Sequence, residues 1–352
     1  MNQELQNNSY DIIHALGGLN SKFSGKQVLL TGAAGFLGCQ FVHYFKTLNE
    51  KAILDSPCHL YAWDNYMLGL PSWLENLKDD PSLTIQKKDV IYDKNYPEAD
   101  FIIHAASIAS PTYYRKYPIE TIEANIFGLK NLLDYCIQSK VEGFLFFSTS
   151  EIYGDPNTEN IPTGEEYRGN VSCTGPRACY DESKRLGETL CVNYFNIHKV
   201  PVKIVRPFNN YGPGLKIDDK RVIPDFFNNV INNKNIVIHS DGNATRTFCY
   251  ISDAIEGYIR VLLSDFNGHS FNIGNDSPEI TIEQLAKKII DISGKQLKIK
   301  FQPNPDSNYL IDNPKRRCPL IEKAKNLINF NPKVSLQSGL ERTYQFYLAE
   351  LE

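Results

Sequence analysis

Tyr180 and Lys184 stand four residues apart in a segment, Ala178–Ile197, whose spacing predicts a helix, so both fall on one face. A phenol titrates near 10 in water, and acting as a base at neutral pH requires roughly 4 kcal/mol of help. A nearby ammonium, together with the positive charge of a bound nicotinamide ring, would supply it. Thr149, Ser150 and Glu151 follow the apolar run Phe144–Phe147. Thr149 could hydrogen-bond the substrate hydroxyl that Tyr180 serves. Ser150 offers a neutral donor, and Glu151 could orient a ring or handle a proton. A Tyr-x-x-x-Lys spacing alone also occurs on plain surface helices, so its weight comes from what surrounds it.

The second group is Thr31-Gly32-Ala33-Ala34-Gly35-Phe36-Leu37-Gly38, placed between a predicted strand, Gln27–Leu30, and a predicted helix, Gly35–Leu48. Gly32 allows a sharp turn, Gly35 lets backbone approach a diphosphate, and Gly38 lets helix and sheet pack closely. The helix start then offers free N–H groups, including those of Phe36 and Leu37, to an anion. The spacing is GxxGxxG rather than GxGxxG. Asp64, with Asn65 beside it, ends the second predicted strand, where a carboxylate binds ribose hydroxyls and favours NAD over NADP. Asp89 and Val90 follow the third strand and suit adenine. Ala105, Ala106 and Ser107 follow the fourth and leave room for the cofactor. His104, just before them, reads equally well as a buried, hydrogen-bonded core residue.

These residues need a scaffold. Strands are expected at Gln27–Leu30, Cys58–Trp63, Leu83–Lys87, Phe101–His104, Phe144–Phe147 and Val202–Val205, and helices at Gly35–Leu48, Ile119–Gln138 and Ala178–Ile197. This alternation implies a doubly wound parallel sheet of Rossmann type, covered on both faces. After Arg206 the texture becomes irregular, with helices expected at Thr281–Ile292 and Leu336–Glu350 and a strand at Gln296–Phe301. With 352 residues the chain exceeds the ~250–300 at which one core stops growing. We therefore expect an N-terminal helical extension over 1–25, and a dinucleotide-binding domain over 26–205 plus about 246–273. A smaller mixed α/β substrate-binding lobe is expected over 206–245 plus 274–352.

Composition excludes several classes. With 37 Lys and Arg against 41 Asp and Glu, the net charge is −4, a poor match to nucleic acid. Apolar runs are far too short to span a bilayer, and Met1–Ser24 lacks the basic start of a signal peptide. The seven His form no HxH or HExxH group and the eight Cys no metal spacing, so no metal is expected. Free cysteines in apolar segments fit a reducing cytoplasm.

The two motifs in this order resemble the extended short-chain dehydrogenase/reductases that act on nucleotide sugars, from about Lys26 to Leu348. Further stretches resemble the UDP-glucuronate decarboxylases among them: HAASIASPTYY at 104–114, STSEIYGDP at 148–156, GPRACYDESKRLGET at 175–189 and FNNYGPG at 208–214. RVIPDF at 221–226, DGNATRTFCYISD at 241–253 and DNPKRRCP at 312–319 add to this. The resemblance implies NAD as a cofactor reduced and reoxidised in one cycle, and a nucleotide sugar as substrate. It implies Tyr180, Lys184 and Thr149 at the reacting hydroxyl, with Tyr180 and Lys184 also contacting the cofactor. Tyr114, Glu151 and Arg246 would line the sugar end, while Asn209, Arg221 and Arg317 hold the nucleotide. Oxidation at C4 would make the uronate a β-keto acid, which loses CO2, with Arg246 anchoring the carboxylate or stabilising the enolate. A homodimer through Ile119–Gln138 and Ala178–Ile197 is also implied.

The chain departs from the decarboxylase pattern at His239, Leu320, Thr112-Tyr113 and Arg115-Lys116, which bear on the identity of the substrate. A 4,6-dehydratase typically carries Asp-Glu where Ser150-Glu151 stand. A 4-epimerase carries small or neutral residues there. A C4 oxidoreductase would need only the same Tyr and Lys. A non-catalytic NAD-binding protein would not need Tyr180, Lys184 and Thr149 together.

Overall fold

The central apolar runs in the first part of the chain become strands whose alternate residues enter two different cores. Val28 and Leu30 face one core while Leu29 faces the other. Likewise Leu145 and Phe147 face one, and Phe144 and Phe146 the other. Burying one such side chain contributes roughly 1.5–3 kcal/mol, and burial on both faces explains why the runs are continuous rather than alternating. A computed structural model describes residues 2–304 and 311–351.

The strands of the main sheet begin with β1 (Gln27–Thr31), β2 (His59–Asp64), β3 (Leu83–Lys87), β4 (Phe101–His104), β5 (Gly143–Phe147) and β6 (Val202–Pro207). Short strands follow: β7 (Asn210–Tyr211), β8 (Ile236–Ile238), β9 (Thr245–Arg246) and β10 (Cys249–Tyr250). The last are β11 (Ser270–Ile273), β12 (Ile280–Thr281), β13 (Ile299–Phe301) and β14 (Arg316–Arg317). The main sheet runs β11-β6-β5-β4-β1-β2-β3, parallel throughout. Strand order reverses between β1 and β4, and ligands bind at such a switch point, beyond the carboxyl ends of the strands.

The helices are α1 (Gln3–Leu16), α2 (Phe36–Glu50), α3 (Ser72–Glu75), α4 (Pro111–Lys116), α5 (Pro118–Glu123), α6 (Leu129–Gln138) and α7 (Ala178–His198). The later ones are α8 (Val222–Ile231), α9 (Ile251–Leu262), α10 (Ile282–Ser293), α11 (Glu322–Ile328) and α12 (Leu336–Ala349). Helices α2 and α9 cover one face of the sheet and α6 and α7 the other. A second group of elements, with α8, α10 and α12, contains the strand trio β12-β9-β14 and the pair β13-β8.

Several elements differ from the sequence reading. The predicted helix Ile119–Gln138 is interrupted by a π-helical turn, Ala124–Gly128. The wider turn seats buried Asn125 between Ser107 and Ser183 and brings Gly128 so near Val90 that an added Cβ would stand 2.5 Å from it. The strand expected at Gln296–Phe301 shortens to three residues, because its partner β8 has only three. Helix α8 was not expected, since Pro224 lies inside it. Proline occupies the first turn there, where no intrahelical N–H is lost. Helix α9 was not expected, although Asp253, Glu256 and Arg260 form a polar stripe along it; Asp253 and Glu256 are buried, and Glu256 pairs with Arg260.

Helix α1 packs on α2, α9 and α12. Its fully buried Asn8 donates to Gln40 Oε1 at 3.1 Å and accepts from Tyr250 and Arg342 at 3.0 and 2.9 Å. Gln40 in turn donates to the Pro213 carbonyl, 2.8 Å away. Every member of this buried polar chain is satisfied, the condition under which such a network holds one arrangement. No helix among the described residues is long and apolar enough to cross a membrane.

Candidate active site

A cleft of about 1890 Å³ runs along the carboxyl edge of the main sheet and is walled on its far side by the second group of elements. At one end lies the glycine turn. Gly32 adopts φ +77°, and an added Cβ would meet the Ala105–Ala106 backbone at 2.7 Å. A Cβ on Gly38 would stand 2.3 Å from the Gly32 carbonyl oxygen. Helix α2 has no side-chain cap, so the first-turn amides at Phe36, Leu37 and Gly38 are available at the cleft wall. The Asp64 carboxylate accepts from Ala34 N at 3.0 Å and Tyr66 N at 2.8 Å, tying the end of β2 to the glycine turn. Burial pushes its carboxyl up despite these bonds.

Asn65 donates to Asp89 at 3.1 Å. Val90, Ala105, Ala106 and Ser107 line the same stretch of the cleft. Open amides over a cradle without side chains, with a carboxylate beyond them, fit a dinucleotide. His104 is buried and bonded to Thr31 Oγ1 at 2.8 Å. Burial holds it neutral, with its pKa near 3.

Tyr180 and Lys184 reach the middle of the cleft from α7. Lys184 Nζ donates to the Phe147 carbonyl at 2.8 Å and lies 5.8 Å from the centre of the Tyr180 ring. The Thr149 hydroxyl hydrogen-bonds Tyr180. It also accepts the Glu151 N–H at 3.2 Å, and so caps the single 3-10 turn, Ser150–Tyr153, that carries Ser150 and Glu151. A Ser107–Asn125–Ser183 chain of hydrogen bonds ends on the Tyr180 carbonyl.

Electrostatics bear directly on the Tyr-Lys pair. Burial pushes the Tyr180 phenol up, outweighing the pull of Thr149. Burial also weakens Lys184, to about 7. The protein's own groups therefore do not lower the phenol, because both ions are desolvated together.

At the other end the guanidiniums are distributed differently from the expectation. Glu151 Oε2 is gripped by Arg317 Nη2 at 2.5 Å and by Arg177 Nη2. These cations, with Arg246 nearby, hold the Glu151 carboxyl below its ordinary range despite burial. Arg246 is within the site, but its Nη atoms are committed. They donate to the carbonyls of Thr245, Pro314 and Lys315 at 2.7, 2.6 and 3.2 Å, and to Asn313 Oδ1 at 3.3 Å. Arg246 thus fastens the segment before β14 rather than offering a free fork, and burial brings it down to about 9. Its strand, β9, pairs with β12 and β14, outside the main sheet.

Arg221 lies apart from this group. It pairs with Asp219, and its guanidinium stands 5.8 Å from the Phe36 ring. Asn209, at φ +43°, donates to the Thr247 carbonyl at 2.8 Å. Tyr114 stacks on Tyr180, ring centres 5.0 Å apart and planes 7° apart, with its hydroxyl buried and unbonded.

Sequence reasoning missed Arg177 and Asp181. Both fall within the GPRACYDESKR run that carried the resemblance, so the signal was present. Their role was hidden because Glu151, the third member, is distant in the chain. Asn125 was missed too, since nothing in a helical stripe marks a π-helical turn.

Residues 28–274 match the NAD dependent epimerase/dehydratase family. UDP-glucuronic acid decarboxylase 6 of Arabidopsis thaliana is 36% identical over 323 residues, 91% of this chain and 89% of that protein. UDP-glucuronic acid decarboxylase 1 of Xenopus tropicalis is 35% identical over 327 residues, 93% of this chain and 73% of that one. Among solved structures, an epimerase from Methanothermobacter thermautotrophicus superposes with a TM-score of 0.81 at 25% identity, covering 96% of this chain and 97% of that one. With the glycine cradle, the switch-point cleft and the Tyr-Lys pair at its centre, this chain belongs to the NAD dependent epimerase/dehydratase family, and the group its cradle accommodates is NAD.

Proposed function

We propose that the protein is a UDP-glucuronate decarboxylase that forms UDP-xylose. The observation that carries the reading is Glu151, held ionised between Arg177 and Arg317, two residues after Thr149 and close to Tyr180. The two decarboxylase relatives support it. Gly32, Gly35 and Gly38 would hold the NAD diphosphate, and Asp64 the adenosine ribose. Bound NAD supplies a hydride acceptor that can give the hydride back.

Tyr180 Oη takes the proton of the sugar C4 hydroxyl, and Thr149 orients that hydroxyl. Lys184 holds α7 to the end of β5 through the Phe147 carbonyl. A ketone at C4 makes the uronate a β-keto acid, whose carbonyl accepts the electron pair as CO2 leaves. The Arg177–Arg317 pair supplies the positive field for the departing carboxylate and the resulting enolate. Glu151 lies where the sugar ring must be oriented. Arg221 and Asn209 serve the nucleotide side. Tyr114 stacks behind Tyr180 and limits access of water to it.

The test is incubation with NAD and, separately, UDP-glucuronate, UDP-galacturonate, UDP-N-acetylglucosaminuronate and dTDP-glucose, with products read by mass. We expect UDP-glucuronate to lose the mass of carbon dioxide. Loss of water from dTDP-glucose, with every uronate intact, would show a 4,6-dehydratase instead.

The same reading includes a homodimer. Ile119 and Ile122 on α5, Phe127 in the π-helical turn and Leu186 on α7 are exposed apolar side chains on helices that pack together. A self-complementary patch of this kind suits a two-fold pairing with a second copy. Leu186→Glu should then convert a sedimenting dimer to monomer; a wild-type protein that sediments as monomer overturns this part. Cytoplasmic residence is the compartment that eight free cysteines support.

A further inference from the structure

Arg177 and Asp181 stand one turn apart at the start of α7, and each carries a buried atom with nothing to bond. Arg177 Nε is an unused donor and Asp181 Oδ1 an unused acceptor. Nε lies 3.7 Å from Asp181 Oδ2, an ion pair just beyond hydrogen-bond length. The far end of the same guanidinium grips Glu151. One cation therefore stands between two nearly buried carboxylates, bonded to one and within a small rotation of the other.

We propose that Asp181 is a positioning residue for Glu151: the two carboxylates compete for Arg177, and the charge state of Asp181 decides whether Glu151 keeps it. The proposal rests on the decarboxylase reading, in which Glu151 works at the sugar. The groups facing Asp181 are Glu151 from the turn after β5, Arg317 of β14, Asp312 of the loop before β14, Tyr114 of α4, and Arg177, Cys179 and Tyr180 at the start of its own helix. Burial and the Glu151 charge push the Asp181 carboxyl up to about 8, against the pull of Arg177 and Arg317.

At neutral pH Asp181 is thus protonated, and Arg177 stays on Glu151 and fixes it beside Tyr180. Once ionised, Asp181 completes its pair with Nε, draws the guanidinium back toward α7, and leaves Glu151 held by Arg317 alone. The change consists of one proton released to solvent and one side-chain rotation.

Two measurements test this. The first is carbon-13 NMR of Asp and Glu carboxyls in the substrate-free protein, with Glu151→Gln assigning its signal. We expect one Asp carboxyl titrating near 8, missing in Asp181→Asn, and the Glu151 signal moving with it. In Arg177→Met the Glu151 signal should no longer follow. The second is the pH profile of kcat on UDP-glucuronate. The wild type should lose about tenfold per pH unit above this midpoint, while Asp181→Asn stays flat with unchanged NAD affinity. If Asp181→Asn folds poorly, Asp181→Glu should move the midpoint instead. An identical alkaline limb in these variants, or a Glu151 signal indifferent to Asp181, overturns the proposal. The NMR arm needs no turnover, so it is separate from a failure to release CO2, which would overturn only the decarboxylase reading.

Discussion

The two ends of the cleft are built on opposite principles. The cofactor end is made of backbone: open amides, glycines without side chains, and Asp64 tied by hydrogen bonds to two main-chain N–H groups. Its central parts lie within Thr31–Gly38, and its charge count is low. The sugar end is made of side-chain charges. Glu151, Arg177, Asp181, Arg246 and Arg317 come from the turn after β5, the start of α7, β9 and β14. Backbone recognition tolerates many substrates beyond the cofactor, because it never reads them. Buried charges cost desolvation unless each finds a partner, so the sugar end is the more fragile and the more selective half.

The largest expected effect falls where the two ends meet. Tyr180→Phe should lower turnover by about 10²–10⁴, the usual worth of a positioned general base. NAD should still bind, as read by calorimetry, since the cradle does not use the phenol oxygen. Loss of both together would show that the two ends are not independent.

A smaller effect is expected from Glu151→Gln, which leaves Arg177 and Arg317 without their shared carboxylate. Removing one partner of a buried pair costs roughly 3–5 kcal/mol. Asp181 can ionise beside Arg177 and offset part of that. A thermal melt should fall clearly, and product formation should slow more than the first reduction of NAD. Equal slowing of both would place Glu151 in binding or oxidation.

The smallest is a pair at the cofactor end. Gly38→Ala forces a Cβ to 2.3 Å from the Gly32 carbonyl oxygen, whereas Gly35→Ala meets the same atom at 3.3 Å. Overpacking at Gly38 should cost about 1–3 kcal/mol of stability along with NAD affinity. Gly35→Ala should keep stability and lose affinity. Equal melting temperatures for the two variants would contradict the packing role of Gly38.

The unequal legibility of the two ends has the same origin. The strands β1 to β6, the glycine turn, Asp64 and the Tyr180–Lys184 pair could be read in the sequence, because each depends on neighbours a few residues away. Helix α9 was legible too, through the stripe Asp253, Glu256 and Arg260, but what only the fold shows is that Asp253 and Glu256 in that stripe are buried. Arg246 was expected at the sugar and Arg317 at the nucleotide, yet one guanidinium binds carbonyls and the other the Glu151 carboxylate, and no spacing rule separates those outcomes.

The sequence by itself determined the doubly wound sheet and the dinucleotide cradle, because hydrophobic period and glycine placement are local properties. It also determined which helix face carries Tyr180. Only the tertiary structure decided which cation meets which anion. That choice depends on burial and on segments distant in the chain converging, as when Arg317 reaches Glu151 across 166 positions. It made Arg177 the partner of Glu151, engaged Arg246 with main-chain carbonyls, and left Asp181 with an unbonded oxygen.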